Sequence, residues 1–162
     1  MRKTIVSVEN VKNYLKEFGL AARVQEFDVS SATVELAAQA LGCKPEFIAK
    51  SLTFKIEDKA ILIVAAGNRK IDNSKYKSQF GAKAVMLKFE EVEELIGHAV
   101  GGVCPFAINP NVDVYLDESL KDYEYVYPAC GSSNSAIKLN IEELEKTSKY
   151  RAWIDVCKVP EI

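Results

Sequence analysis

Ser51-Leu52-Thr53-Phe54-Lys55-Ile56-Glu57-Asp58-Lys59-Ala60-Ile61-Leu62-Ile63-Val64-Ala65-Ala66 is the stretch on which the fold turns. Two apolar runs, Ser51–Ile56 and Ala60–Ala66, flank the polar turn Glu57-Asp58-Lys59, the pattern of a β-hairpin. The second run carries no polar side chain. Its strand is therefore read as central and buried on both faces of a sheet.

Helical signals precede the hairpin. Val8, Val11, Leu15 and Phe18 recur at helical spacing, with Ser7 as an N-cap and Gly19 as the stop. Arg23 to Val29 reads as a strand. Ala32 to Leu41 reads as a second helix, closed by Gly42 at the left-handed position after its last turn. Pro45 then opens a short helix carrying Phe47, Ile48 and Lys50, since a missing N–H costs nothing in a first turn.

Beyond the hairpin, Asp72–Gln79 is a lysine-rich polar helix, Ala84–Leu87 a strand and Phe89–Ile96 an amphipathic helix. A glycine-rich turn, Gly97 to Phe106, follows. Strands are expected at Val112–Leu116, Tyr123–Tyr127 and Ala136–Leu139, a helix at Ile141–Thr147 and a closing strand at Ala152–Val156. About seven strands are expected, several of them following one another directly. The sheet must then be mixed, giving an α+β or mixed α/β fold and not a doubly wound nucleotide fold.

The chain has 162 residues, an expected single domain over residues 1–162. A chain of this size buries about 70% of its unfolded surface, so it needs neither disulfide nor metal to fold. Lys and Arg number 21 against 23 Asp and Glu, a net charge of −2. That argues against a strongly basic nucleic-acid coat but leaves room for a local basic patch. The longest apolar run, Ala60–Ala66, is far short of the about 20 residues a membrane helix needs. No apolar segment follows the positive start Met1-Arg2-Lys3, so no signal peptide is expected. Cys43, Cys104, Cys130 and Cys157 form no C-x-x-C pair and are expected to be reduced thiols. A cytoplasmic protein without a cofactor or metal is the resulting expectation.

Four groups can carry chemistry. Gly101 and Gly102 allow a ligand close to the backbone, and a loop of this type can aim N–H groups at a carbonyl oxygen or anion; it can equally be a tight connection. Lys50, beside an apolar strand, can bind phosphate or a ribose hydroxyl as a point charge, or can be a solvated helix-end lysine. His98 is the only histidine, which excludes any two-histidine metal site. It can pair with Cys104 as base and nucleophile, or Cys104 can be a packed thiol. Arg69-Lys70 and Lys75-Tyr76-Lys77 can track a phosphate backbone or form a solvated helix face.

These residues together resemble a known family. The helix Thr33–Gly42, the segment Ile48-Ala49-Lys50-Ser51-Leu52, the strand Ile61–Ala66 followed by Gly67-Asn68-Arg69-Lys70-Ile71-Asp72, the loop Gly97…Gly101-Gly102-Val103-Cys104-Pro105 and the turn Cys130-Gly131-Ser132 occur in the order found in YbaK/EbsC/ProX proteins. Those are trans-editing aminoacyl-tRNA deacylases related to the editing insertion of bacterial prolyl-tRNA synthetases. The resemblance covers nearly the whole chain. It implies a mixed, partly barrel-like sheet surrounded by short helices. It also implies hydrolysis of the ester joining an amino acid to a tRNA 3′ end, most closely tRNA(Pro) carrying Ala, Cys or Ser, with a synthetase as a docking partner. By the same resemblance Lys50, Gly101 and Gly102 are catalytic, with Lys50 holding the terminal adenosine or its phosphate. Val103, Cys104, Pro105, Gly131 and Ser132 bind substrate, and water attacks with help from the substrate's own groups.

This sequence departs from the family pattern at Cys104, where many relatives have Ser. It departs again at Phe106-Ala107, and after Gly131, where Ser132-Ser133-Asn134-Ser135 replaces a basic run. Two other readings stay open: a non-catalytic module that binds an amino acid or nucleotide or docks on a synthetase, and a thiol enzyme built on Cys104.

Overall fold

The computed structural model of the protein describes residues 3–160, with side chains from residue 7 onward. In chain order the elements are α1 (Lys3–Lys16), β1 (Gln25–Glu26), α2 (Val34–Leu41), β2 (Ile48–Ile56), β3 (Lys59–Ala66), β4 (Lys70–Ile71), α3 (Asn73–Phe80) and α4 (Phe89–Ile96). They continue with β5 (Asp113–Asp117), β6 (Tyr125–Pro128), β7 (Ser135–Ala136), β8 (Leu139–Asn140), α5 (Ile141–Ser148), β9 (Ala152–Ile154) and β10 (Cys157–Lys158).

The apolar run Ala60–Ala66 forms the centre of the molecule. Six strands curl into a half-barrel in the order β8-β6-β2-β3-β5-β9. β3 pairs antiparallel with β2 (Leu52 opposite Ile63) and parallel with β5 (Ile63 opposite Tyr115). Side chains alternate along a strand with period two, and β3 feeds two cores in that way. Ala60, Leu62 and Val64 join Val11, Leu15, Phe106 and Leu116 on one face. Ile61, Ile63 and Ala65 join Phe54, Tyr76 and Val156 on the other. Each fully buried Leu, Ile or Val contributes about 1.5–3 kcal/mol, so a strand that is apolar on both faces serves two layers.

The helices start and stop where their caps direct. The Thr33 hydroxyl accepts the Leu36 N–H at 3.1 Å, and Gly42 closes α2 at φ +72°. Ala37 and Ala38 then lie against Ile48, the close approach that small side chains allow. At the start of α5, Asn140 and Glu143 satisfy each other's backbone N–H groups at 2.8 and 3.0 Å.

Several local expectations are revised. Ile48 and Lys50 lie in β2 and not in a helix, because Ile48 pairs with Tyr127 and Ala49 with Pro128; the helical turn after Pro45 ends at Phe47. The strand expected over Arg23–Val29 shrinks to β1, which is all that meets β7. Ala84–Leu87 contributes one bridge, Met86 to Phe54. Ala136–Leu139 divides into β7 and β8, which face different partners. Ten strands are therefore seen among the described residues, against about seven expected. No helix among them is long and apolar enough to cross a membrane.

Candidate functional site

β2 and β6 pair only at Ile48 and Ala49. The next contact on that edge of β2 is the Phe54–Met86 bridge. The Thr53 carbonyl accepts the Leu87 N–H at 3.1 Å beside that bridge, so Lys50 to Leu52 are the unpaired stretch of this edge, and a cavity of about 340 Å³ opens along it. The start of α2, the segment Met86–Val92, the Val100–Val103 loop and the strands around Tyr127 and Ala136 enclose this cavity. Its wall is mostly aliphatic. Among the described residues that line it, Lys50 alone is charged.

Lys50 and Ser51 leave β2 on opposite faces, as neighbours on a strand must. Lys50 is half-buried. Its ammonium donates to the carbonyl of Gly67 at 3.4 Å and to that of Arg69. Burial lowers its pKa from the ordinary 10.5, while nearby Cys157 and Glu35 act in the opposite direction. An ammonium has three N–H donors. Two are engaged, and the third has no acceptor among the described residues. Gly67 enables this arrangement, since a Cβ there would sit 2.2 Å from the Pro45 carbonyl oxygen.

The glycine loop lies across the cavity from β2. Gly101 takes φ +98°. Among the described residues, the N–H groups of Gly101 and Val103 have no hydrogen-bond acceptor, whereas the Gly102 N–H is committed to the Ala99 carbonyl at 3.0 Å. Gly102 instead packs backbone to backbone on the turn after β6. A Cβ on it would lie 2.6 Å from the Gly131 carbonyl carbon and 2.6 Å from the Ser132 nitrogen.

The structure brings together some of the residues singled out in the sequence and separates others. Lys50, Gly101 and Val103 share the cavity. Gly102, Gly131 and Ser132 line an adjoining surface depression, with Val100 common to both. Pro105 faces a third hollow beside Tyr14 and Lys149. Cys104 lines none of these and is fully buried in the main core.

His98 and Cys104 do meet, with Sγ 3.5 Å from Nε2. Neither is equipped for catalysis. Both are buried, and desolvation pushes the thiol up to about 12. His98 Nε2 lies 2.6 Å from the Phe106 carbonyl and so carries the proton as donor. Nδ1 is left to accept the Ser7 hydroxyl. The pair ties α1 to the glycine loop as a packing device. The basic patch is divided, with Lys70 and Lys77 exposed and in no ion pair among the described residues. Tyr76 is buried between Phe54 and Phe80, at ring separations of 5.1 and 4.7 Å. Arg69 pairs with Asp122 at 3.1 Å and Lys75 with Asp155 at 3.0 Å. Sequence reasoning missed the wall formed by Met86, Phe89, Ser31 and Tyr127; the apolar cluster Val85-Met86…Phe89 in an otherwise charged stretch was the available signal.

A curled mixed sheet thus carries, at a strand edge, a mostly aliphatic cavity lined by one lysine and by a glycine loop in which two backbone N–H groups have no acceptor among the described residues. Comparison with known proteins narrows the class. Residues 28–147 match the aminoacyl-tRNA editing domain family, and the chain belongs to that family. It is 51% identical over 154 residues to an uncharacterised Bacillus subtilis (strain 168) protein, YwhH, covering 94% of this chain and 98% of that one. It is 25% identical over 122 residues to the proline–tRNA ligase of Bacillus cereus (strain AH820), covering 72% of this chain and 21% of the ligase. The chain thus spans about a fifth of the ligase's length. A solved structure of a candidate trans-editing enzyme for prolyl tRNA synthetase superposes with TM-score 0.84 at 32% identity, over 94% of this chain and 97% of that one.

Proposed function

We propose that the chain hydrolyses the ester of mischarged aminoacyl-tRNA in trans, with tRNA(Pro) bearing Ala, Cys or Ser as substrate. The observation that carries this reading is that Lys50, Gly101 and Val103 line one cavity, the last two with backbone N–H groups that have no acceptor among the described residues. The aminoacyl side chain occupies the aliphatic part. The two N–H groups face the carbonyl oxygen, where charge develops as water attacks. The third donor of Lys50 meets the ribose or phosphate of the terminal nucleotide. Among the described residues, no carboxylate, imidazole or thiol lines the cavity. An ester is already activated, so positioning and an oxyanion site suffice, and one oxyanion donor is worth about 10²–10³ in rate. Val103 bounds the pocket. Gly102, with Gly131 and Ser132 beneath it, holds the loop in place, and Cys104 and Pro105 fix the loop from behind.

The test is deacylation of Ala-, Ser-, Cys- and Thr-tRNA, on tRNA(Pro) and on cognate tRNAs, by wild type and Lys50→Ala. Loss of about 100-fold or more in the variant, with an unchanged far-UV spectrum, is the expected result. Equal rates for the two proteins would remove Lys50 from the mechanism. If the folded wild type hydrolysed no member of the panel, the cavity would belong to a non-catalytic binding module.

A further inference from the structure

Phe89 is the most exposed large apolar residue described, at 76%, and it lines the cavity. Met86 at 56% and Val100 at 48% line it too, and Val85 is exposed beside them. A lone exposed apolar side chain is ordinary, but a contiguous patch at a cavity mouth marks a contact surface. The backbone under the ring is firmly held. One Glu91 carboxylate oxygen accepts the Lys88 N–H at 2.9 Å and the other pairs with Lys55 at 2.6 Å. Leu87 and Val92, on either side of Phe89 in sequence, are buried in the main core and line the cavity floor. The ring is thus an open aromatic face on a fixed base.

We propose that Phe89 is the stacking platform for the 3′-terminal nucleobase of the tRNA, with Met86 and Val100 completing the apolar rim. This inference rests on the deacylase reading, from which the occupant follows. The aminoacyl group and the terminal base are borne by the same ribose. With the acyl group inside the cavity and the ribose at its mouth, the base emerges at the rim, one sugar width away. An aromatic ring stacks on any base through its π face. The local charge is mixed. Lys83 and Lys88 are exposed on the same segment, and neither forms an ion pair among the described residues. Glu90, Glu91, Glu93 and Glu94 of α4 are the opposing carboxylates, of which Glu91 is paired with Lys55.

The experiment has a binding arm and a kinetic arm. In the binding arm, Phe89→Trp is titrated with AMP, with the trinucleotide CCA and with ribose 5-phosphate. AMP and CCA quench emission beyond the change seen in wild type, which carries only Trp153; ribose 5-phosphate does not. No quenching by AMP or CCA, or equal quenching by ribose 5-phosphate, would overturn the proposal. In the kinetic arm, Phe89→Ala raises KM for aminoacyl-tRNA five-fold or more with kcat within two-fold. Phe89→Tyr and Phe89→Trp restore KM, and Phe89→Leu does not. Full rescue by Leu would show a merely greasy cover and refute stacking. Self-association abolished by Phe89→Ala, without nucleotide quenching, would assign the patch to a second copy of the chain and also refute it. Quenching by CCA together with no hydrolysis by wild type would fail the deacylase reading and leave base stacking standing.

Discussion

Replacing Gly102 by Ala tests the architecture of the glycine loop directly. The new Cβ would lie 2.6 Å from the Gly131 carbonyl carbon and the Ser132 nitrogen and 2.7 Å from the Gly131 oxygen. Ordinary contact begins near 3.4 Å, so the two turns must separate by about 0.8 Å. The obstacle is backbone, which cannot swing aside like a flexible side chain. Nor can the lower turn retreat, since Gly131 is itself seated against Ser7, where a Cβ of its own would meet the carbonyl oxygen at 2.9 Å. Overpacking of this kind costs about 1–3 kcal/mol, which lowers Tm by roughly 2–12 °C in a domain of this size. The displaced loop carries the Gly101 and Val103 donors, and a misplacement near 1 Å can cost about 100-fold in rate. Calorimetry and single-turnover deacylation well below the variant's Tm separate the two effects. Gly81→Ala is the control. Gly81 takes a positive φ, +72°, which Gly102 does not, but nothing lies within 4 Å of its Cβ and it does not line the cavity. It should lose stability and keep its rate. Gly102→Ala with wild-type Tm and wild-type kcat/KM would refute the argument.

Two further outcomes are expected. His98 is the sole histidine, so its ring resonance is unambiguous by NMR. Burial lowers its pKa below 6.5, against the opposing bond to Phe106, so the folded state binds fewer protons than the unfolded chain below pH 6.5. Stability is therefore lost as pH falls through that window, and the ring signal should show no inflection near 6.5; an inflection there would refute its burial. Native alkylation at neutral pH should modify half-exposed Cys43 first and spare Cys104, Cys130 and Cys157, with deacylation retained. Rapid labelling of Cys104 with loss of activity would revive the thiol enzyme.

Much of this molecule is legible in local sequence. Ala60–Ala66 announces a strand buried on both faces, and it is the strand that separates the two cores. Gly42 closes α2 where it was read, and Asp72, read as the first residue of the next helix, is its N-cap. Local signals misled where pairing overruled them. Pro45 starts a helical turn as expected, yet Ile48 and Lys50 are drawn into β2 by Tyr127 and Pro128, which lie about eighty positions away. The sequence carries no periodicity that reports such a partner.

The sequence by itself determined the mixed sheet, its central strand and the chemical types available to the site: one lysine beside an apolar strand, a glycine pair, one histidine and no metal-binding spacing. Tertiary structure alone decided which of them face the ligand. It turned Cys104 and His98 into the core, placed Gly102 on Gly131, left the Gly101 and Val103 N–H groups without an acceptor among the described residues and set the cavity where β6 departs from β2. The reason is physical. Caps, turns and periodicity act over a few residues and are written in the residues themselves. Burial, pKa and the partner of a hydrogen bond are properties of whatever segment packs alongside, and here that segment is 17 to 91 positions distant.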